Sequence, residues 1–187
     1  MTLGPAFEST LAAARLGEEW AWTALYRELA GPVRGYLAAR RSPSPEDEAA
    51  DTFLDVARGI DRFEGDESDL RSWVFAIAHR RMVDAVRRSG RRPETPVADE
   101  GLAQALRDVI PSAEHQALLH SRSEGVEQLL ATLSERQRDV LLLRVVAGLS
   151  GRETAAALEM SEPAVRVTQH RALAALRKAA DRADAAV

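Results

Sequence analysis

The spacing of the apolar residues constrains the fold of this chain most strongly. Along most of the 187 residues they recur at intervals of three and four, and no run of alternating β-branched residues is present. This spacing is typical of helices that bury one face, whereas a half-buried strand would alternate apolar and polar residues. The chain is therefore predicted to be all-α.

Proline and glycine divide the helical pattern of the amino-terminal half. Gly31-Pro32 interrupts an early apolar stripe and predicts a break between two helices, because proline lacks the backbone donor that a helix interior requires. The proline-rich segment at residues 42–45 predicts a second stop. Residues 61–69 are polar and contain a glycine, which predicts a loop. A long helix is expected from residue 70 to about residue 88.

Capping motifs mark the helix starts of the carboxy-terminal half. Ser134 is followed three residues later by Gln137, and Ser150 is followed in the same way by Glu153. This spacing is the capping box, in which two side chains satisfy backbone donors at the start of a helix. Gly148 suits the left-handed position at the end of a helix. Helices are therefore expected to start after Ser134 and after Ser150.

A connector that contains three prolines and several acidic residues separates the two halves. Prolines end helices, so the connector predicts a domain boundary. The expected architecture is two small helical domains joined by a flexible linker. The first domain is assigned to residues 1–92, the acidic linker to residues 93–126 and the second domain to residues 127–187.

The net charge of −4 hides a strong segregation of charge along the chain. Residues 42–69 are rich in Asp and Glu, whereas residues 70–92 contain seven arginines and one acid. A second basic cluster lies between residues 166 and 178. Basic surfaces of this kind suit contact with phosphate, although charge runs are also common on solvated helix faces.

Several function classes lack their sequence signatures. Cysteine is absent, which excludes disulfides, thiolate metal sites and cysteine nucleophiles. His79 and His115 do not form a metal-binding H-x-x-x-H motif, and there is no nucleophile elbow, phosphate loop or paired-carboxylate signature. Residues 1–19 contain no apolar run of signal-peptide or membrane length. The chain is predicted to be cytoplasmic and not inserted in a membrane, with no enzymatic activity, cofactor or metal.

Residues 149–177 carry the clearest functional pattern, a helix followed by a four-residue turn and a second helix. Small alanines in the first helix allow the two helices to cross closely, and the second helix has an apolar stripe on one side. Its other side would carry Arg166, His170 and Arg171, and arginine can bind guanine or phosphate in the major groove. The pattern predicts a DNA-binding helix-turn-helix, with an ordinary helical hairpin and solvated arginines as the alternative.

Two stretches of the chain resemble a known family. Residues 133–150, LSERQRDVLLLRVVAGLS, resemble the start of the fourth conserved region of sigma-70 family RNA polymerase sigma factors, most closely the extracytoplasmic-function (ECF) group. Residues 45–56, PEDEAADTFLDV, together with residues 62–66 and 70–81, resemble the second region. The resemblance implies a sigma factor that binds core RNA polymerase and directs promoter recognition and transcription initiation, in a stress or envelope-signal response.

The resemblance also implies which residues bind DNA and polymerase. The last helix of region four reads the minus-thirty-five promoter element in the family, which implies Arg166, Val167, Thr168, His170, Arg171 and Arg177. Region two holds the minus-ten element as single-stranded DNA, which implies Phe63, Asp66, Arg71, Ser72, His79, Arg80, Arg87 and Arg88. Its first helix docks on the polymerase, which implies Asp51, Phe53, Leu54 and Asp55.

The partners implied by the resemblance are core RNA polymerase, through its β′ clamp helices and β flap, promoter DNA and an anti-sigma factor. Three positions depart from the family pattern. Glu48 and Gln169 stand where aliphatic residues are usual, and Glu159 stands where a turn glycine is common. A left-handed Glu159 would cost about 1 kcal/mol, which a folded domain can tolerate.

A second function fits the residues as well. A helix-turn-helix transcriptional regulator would use only the carboxy-terminal domain for DNA, with the amino-terminal domain acting as a sensor or a dimerisation domain. Such a regulator would bind duplex DNA by itself. A sigma factor would instead bind core polymerase tightly and isolated promoter duplex weakly.

Overall fold

The computed structural model describes residues 3–89 and 129–184. In this part of the chain there is no β-strand, which confirms the all-α prediction. The α-helices are α1 (Phe7–Arg15), α2 (Glu19–Ala39), α3 (Pro45–Gly59), α4 (Glu67–Ser89), α5 (Glu135–Val145), α6 (Gly151–Ala157) and α7 (Glu162–Asp184). Short 3-10 helices lie at Gly4–Ala6 and Ile60–Arg62. The predicted linker at residues 93–126 lies outside the described residues.

Helices α1 to α4 pack around one apolar core. Their inward side chains follow the three-and-four spacing of the sequence, and the largest fully buried ones include Leu25, Val33, Tyr36, Val74 and Phe75. Burying a side chain of this size contributes about 1.5–3 kcal/mol. Leu142, Leu143 and Leu149 of the carboxy-terminal half belong to the same cluster. The core is therefore continuous between the two halves.

Helix α2 runs without interruption through Gly31 and Pro32, so the predicted break between two helices is wrong. Proline costs a helix interior one backbone hydrogen bond, which by itself favours a break. Leu29 and Val33 flank the proline and are only 4% and 0% exposed. A continuous helix keeps both side chains in the core, and this burial offsets the lost hydrogen bond.

Asp66 and Asp69 start helix α4 three residues earlier than the sequence predicts. Asp66 Oδ1 accepts a hydrogen bond from the Asp69 backbone N–H at 2.9 Å, and Asp69 Oδ2 accepts one from the Asp66 N–H at 3.1 Å. This reciprocal pair satisfies backbone donors at the helix start, so α4 begins at Glu67 rather than at Leu70. The stop predicted at residues 42–45 is confirmed, because it lies between α2 and α3.

Both predicted capping boxes are present in the carboxy-terminal half. The Ser134 side chain accepts a hydrogen bond from the Gln137 N–H, and the Gln137 side chain accepts one from the Ser134 N–H. Ser150 and Glu153 make the same exchange at the start of α6. Gly148 has a φ of +66°, the left-handed conformation expected at this position. Local sequence therefore sets the starts of α5 and α6.

The two halves of the chain pack against each other through α4 and α6. Arg71 Nε of α4 lies 3.1 Å from Glu153 Oε1 of α6. Nearby, Arg152 Nη2 lies 3.0 Å from Asp69 Oδ1 in a more exposed ion pair. The contact between the halves therefore combines the shared apolar core with ion pairs, one largely buried and one exposed.

A buried polar cluster of four residues also joins the halves. Arg40, the C-cap residue of α2, places its Nε 2.7 Å from Asp139 Oδ1 of α5, and the two side chains are 8% and 9% exposed. The Tyr36 hydroxyl donates a hydrogen bond to Asp139 at 3.2 Å and lies 2.8 Å from His79 Nδ1 of α4. Burial raises the pKa of Asp139, and the Arg40 charge opposes this shift. The cluster ties α2, α4 and α5 together.

Candidate nucleic-acid and polymerase interface

Helices α6 and α7 form the helix-turn-helix that the sequence predicts. Glu159 in the turn has a φ of +53°, so the left-handed conformation expected there is confirmed. Ala155 of α6 and Val165 of α7 belong to one buried cluster, in which the small alanine lets the helices approach. The Ser161 hydroxyl accepts a hydrogen bond from the Ala164 N–H at 3.3 Å and caps α7. The turn therefore fixes the direction of α7.

One face of α7 is exposed and carries the predicted minus-thirty-five residues. Val165 and Ala172 are buried and define the inward face, and Thr168 is half-buried. Arg166 lies 3.9 Å from Glu162, but its side chain remains 80% exposed. The exposed members of the predicted set are Arg166, Val167, His170, Arg171 and Arg177. A cationic helix face of this kind can enter the major groove.

Gln169 lies on the side of α7 that faces α5. Its Oε1 accepts a hydrogen bond from Arg144 Nε at 3.3 Å. Arg144 also donates to the Leu149 carbonyl at the end of the α5–α6 turn. A polar contact therefore holds α5, α6 and α7 where the family pattern has an aliphatic residue.

A cleft of about 610 Å³ lies where the end of α3 meets the first half of α4. Phe63 and Trp73 form its aromatic wall, with ring centroids 5.3 Å apart and planes at 25°. Gly59 admits the indole, since a Cβ at this position would lie 2.8 Å from Trp73 Cζ2. The polar residues that line the cleft are Arg62, Glu64, Asp69 and Ser72. An aromatic wall with a polar edge suits an unstacked base.

Three predicted minus-ten residues lie in or next to this cleft. Phe63 and Ser72 line it and are 8% and 5% exposed. Asp66 is exposed and caps α4 instead of lining the cleft. Its pKa is lowered, mainly because the carboxylate accepts a hydrogen bond from the Asp69 backbone. Asp66 is therefore an anion beside the cleft.

Arg80 and Arg87 extend the cleft along α4. Both are exposed, and Ala76, which lines the cleft, lies one helical turn before Arg80. Residues four and seven apart share a helix face, so the two arginines continue in line from the cleft. The side chain of Arg88 lies outside the described residues. The visible part of the predicted basic track is thus two cations on one face.

Arg71 contacts the carboxy-terminal half of the chain. Its Nη2 donates a hydrogen bond to the Ala147 carbonyl at 3.3 Å, and its Nε pairs with Glu153. The side chain is 16% exposed. Ala156 of α6 lines the cleft itself. Helix α6 therefore covers one side of the predicted minus-ten surface and holds one of its arginines.

His79 lies in the buried polar cluster, between Tyr36 and Asp139. Its neighbour in sequence, Arg80, points to solvent instead. Burial lowers the pKa of His79 because it disfavours the imidazolium, and the Asp139 carboxylate partly opposes this effect. The structure therefore does not bring His79 together with the cleft.

Helix α3 presents the predicted polymerase-binding residues in two directions. Leu54 is 53% exposed and Asp51 is exposed beside it. Asp51 and Asp55 both pair with Arg81 of α4, at 2.9 and 2.7 Å. Phe53 is 9% exposed, and its ring centroid lies 4.8 Å from that of Tyr26. The outward surface of α3 is therefore an apolar residue flanked by acids, while Phe53 belongs to the core.

Sequence reasoning missed the second aromatic residue of the cleft and the buried polar cluster. Helical spacing predicts Trp73 as a core residue, because Val74 and Ile77 continue the same apolar pattern. Tyr36 and Asp139 are 103 positions apart, so no local pattern links them. The sequence shows that Trp73 is an aromatic residue, a type that can stack on bases, but whether its indole is exposed depends on the tertiary fold.

Within residues 3–89 and 129–184, no group of three or more His, Asp or Glu side chains is placed to hold a metal ion. No helix in these ranges combines the length and the apolar character that a membrane span requires.

The chain matches two family models. The model described as Sigma-70 region 2 matches residues 22–92, and the model described as Sigma-70, region 4 matches residues 123–176. The chain is 38% identical over 137 residues to the ECF RNA polymerase sigma factor ShbA of Streptomyces griseus, covering 73% of this chain and 71% of that protein. It is 32% identical over 157 residues to the RNA polymerase sigma factor YlaC of Bacillus subtilis, covering 82% and 88%.

A solved structure shares the fold. The structure of CnrH in complex with the cytosolic domain of CnrY aligns with a TM-score of 0.65 and 24% identity, covering 95% of this chain and 98% of that chain. The region 2 match also accounts for the amino-terminal half. The alternative of a regulator with a sensor or dimerisation domain in that half is therefore not favoured.

Proposed function

The chain belongs to the sigma-70 family of RNA polymerase sigma factors, in its extracytoplasmic-function group, and from this premise we propose how its surfaces share the work of transcription initiation. It binds core RNA polymerase and directs promoter recognition. The observation that carries the proposal is that each matched region contains one exposed cationic helix face, on α4 and on α7. The chemistry of RNA synthesis remains with the polymerase, so the chain itself is not an enzyme.

The face of α7 reads the minus-thirty-five element. Arg166, His170 and Arg171 contact base edges in the major groove together with Val167, since all four are exposed on one side of the helix. Thr168 and Arg177 lie nearer the phosphate backbone. Arginine donates two parallel hydrogen bonds to guanine, so these contacts supply sequence discrimination as well as affinity.

The cleft beside α4 holds the minus-ten element. A base that leaves the duplex loses its stacking partners, and the Phe63–Trp73 wall offers a replacement surface. The Ser72 hydroxyl, which donates its proton to the Ser68 carbonyl, and the carboxylates at the edge of the cleft accept hydrogen bonds from the base. Arg80 and Arg87 bind the phosphates that follow. Arg88 extends this track.

The outward face of α3 docks on the β′ clamp helices of core polymerase. Leu54 supplies an exposed apolar anchor, and Asp51 and Asp55 flank it with negative charge. Phe53 supports the face from the core. The β flap binds the carboxy-terminal domain.

We assign one set of binding roles to each domain. Residues 1–92 form the domain for the clamp and the minus-ten element, residues 93–126 the acidic linker, and residues 127–187 the domain for the minus-thirty-five element. Arg71 and His79 are held at the contact between the halves. They reach DNA only when α5 and α6 move away from α4, as they do when the two domains bind promoter elements that are well separated along the DNA.

An anti-sigma factor is the further partner that we propose. CnrH, which shares this fold, was solved with the cytosolic domain of CnrY. A partner that spans both halves would hold them in the packed arrangement and keep the cleft covered by α6. The chain acts in the cytoplasm, where core polymerase is found, and responds to a stress or envelope signal.

Purified chain and core RNA polymerase provide the test. We expect a stable assembly that makes abortive transcripts from a subset of a promoter library, whereas the chain alone binds promoter duplex weakly. Leu54→Asp should weaken the assembly about tenfold, because a charge replaces an interface anchor. Leu16→Asp, at a residue that is 82% exposed outside α3, is the matched control and should not. Tight duplex binding by the chain alone, without assembly on the polymerase, would instead support the regulator.

A further inference from the structure

Helix α1 lies outside the residues that match the region 2 model, yet it reaches the loop that forms the cleft. Arg15, the last residue of α1, donates from Nε to the Ile60 carbonyl at 3.3 Å. Its Nη2 donates to the Phe63 carbonyl at 2.5 Å. One guanidinium therefore bridges the two ends of the turn that leads into the cleft wall.

These two carbonyls lie where the backbone changes direction. Ile60 starts the 3-10 helix Ile60–Arg62, and Phe63 then leaves it with extended backbone, at φ −69° and ψ 130°. The Ile60 carbonyl accepts the Phe63 backbone N–H at 3.2 Å and takes a second hydrogen bond from Arg15, whereas the Phe63 carbonyl follows the helix and is bound by Arg15. The rigid fork of arginine reaches both carbonyls at once. It thereby contacts the backbone of Phe63, whose ring stacks on Trp73.

The other end of the loop is tied to the same amino-terminal segment. The Glu67 carboxylate at the start of α4 accepts hydrogen bonds from the backbone N–H groups of Leu3 and Gly4, at 2.6 and 2.9 Å. Phe7 and Leu11 are buried in the core and anchor α1. The loop between Phe63 and Glu67 is therefore held at both ends by residues 3–15.

We propose that Arg15 is a positioning residue for minus-ten recognition: it does not touch DNA but sets the shape of the cleft through the carbonyls of Ile60 and Phe63. The proposal rests on the minus-ten role assigned to the cleft above. It predicts that removing Arg15 impairs promoter opening and minus-ten base discrimination, and leaves polymerase binding and minus-thirty-five recognition intact. A residue that merely stabilised the fold would affect all four.

The test uses holoenzyme and a promoter that the wild-type chain selects from the library. Arg15→Gln removes the charged fork. Arg15→Lys keeps the charge but places all its donors on one nitrogen, which cannot reach both carbonyls as the fork does. Arg27→Gln removes an exposed arginine on neighbouring α2 and is the control. The rate of open-complex formation should fall about tenfold in Arg15→Gln, with a smaller loss in Arg15→Lys and none in Arg27→Gln. The preference for the selected minus-ten sequence over single-base variants should fall to a similar extent.

Each outcome decides for or against the proposal. Reduced discrimination at the minus-ten element with core affinity and minus-thirty-five discrimination unchanged supports it. Unchanged opening and discrimination in Arg15→Gln overturns it, and so does a parallel loss of core affinity and of recognition at both elements, because that pattern marks a structural role. If the wild-type chain selects no promoter with core polymerase, the proposed function fails first and the role of Arg15 fails with it.

Discussion

The two surfaces that we propose bind DNA differ in how far the rest of the molecule covers them. The face of α7 is open, and Arg166 is 80% exposed. The cleft beside α4 is partly covered by α6, which contributes Ala156 to its lining and pairs Glu153 with Arg71. The packed chain therefore exposes the proposed minus-thirty-five surface in full and the proposed minus-ten surface only in part.

This difference has a physical consequence for initiation. In the proposed role, completing the minus-ten surface requires α6 to leave α4, which breaks the pair between Arg71 and Glu153. The open face of α7 requires no such step. The free energy that polymerase and DNA supply must therefore offset the loss of the contact between the halves before the cleft can function.

Breaking the buried ion pair should have the largest effect. Asp139→Asn removes the carboxylate 2.7 Å from Arg40 and leaves a cation in a site where both side chains are less than a tenth exposed. Removing one partner of a buried pair typically costs about 3–5 kcal/mol. We expect the free energy of unfolding to fall by about that amount in denaturant titrations. Small-angle scattering should show a larger radius of gyration as the halves separate.

Asp51→Asn is the matched control for this prediction. Asp51 also pairs with an arginine, at 2.9 Å from Arg81, but its side chain is 54% exposed. Water screens such a pair, so the loss should be below about 1 kcal/mol. Equal losses in the two variants would mean that Asp139 is not buried against Arg40 in solution, and the contrast between covered and open surfaces would then fail.

A substitution on the open face of α7 should change promoter recognition without changing the free energy of unfolding. Arg171→Ala removes an exposed guanidinium from α7, and a bidentate contact to a base is worth about 1–3 kcal/mol of discrimination. Transcription from the selected promoter should fall about tenfold or more. Single-base changes in the minus-thirty-five element should then have a smaller additional effect, while the free energy of unfolding stays unchanged.

Arg182→Ala provides the comparison for this effect. Arg182 is exposed in the last turns of the same helix, far from the turn that would enter the groove. Its loss removes the same charge and should leave minus-thirty-five discrimination unchanged. A loss of discrimination as large as that of Arg171→Ala would mean that net charge, rather than base contact, drives recognition by α7.

The contrast between the surfaces also explains what the sequence could predict. The open face of α7 follows from helical periodicity alone, and the capping boxes at Ser134 and Ser150 mark the helix starts from residues three positions apart. The covered surface depends on residues far apart in the chain, such as Arg71 and Glu153, whose pairing no local pattern predicts. The predicted break at Pro32 is wrong for the same reason, since burial in the tertiary core overrides a local preference.

Acidification should loosen the contact between the halves by a smaller amount. Burial lowers the pKa of His79, so the folded protein favours the neutral ring. Its contribution to stability is complete above the ordinary histidine pKa and is lost as the pH falls through the lowered value. Burial raises the pKa of Asp139, and the Arg40 charge opposes this shift. Proton uptake by this carboxyl therefore partly offsets the effect of His79 as the pH falls. The charges of Arg40 and Arg136 add to the cost of protonating His79.

The measurement compares the free energy of unfolding at about pH 7.5 and about pH 5.5, a window that spans the ordinary histidine pKa. The wild-type chain should lose stability at the lower pH. His79→Gln, whose side chain takes up no proton in this range, should lose less. If the two proteins had the same pH dependence, His79 would not be the group that links protons to the contact between the halves.

A substitution in the turn between α6 and α7 should have the smallest effect on stability. Glu159 has a φ of +53° between α6 and α7. Side chains disfavour this conformation and glycine does not, so Glu159→Gly should raise the free energy of unfolding by about 0.5–1 kcal/mol. Ala174→Gly, at an exposed position within α7, should instead lower it by about 1 kcal/mol, because glycine is a poor helix former. Opposite signs for two glycine substitutions can arise only if the backbone at Glu159 is left-handed in solution. The conformation of Glu159 therefore sets the angle between α6, which covers the cleft, and α7, whose outer face stays exposed.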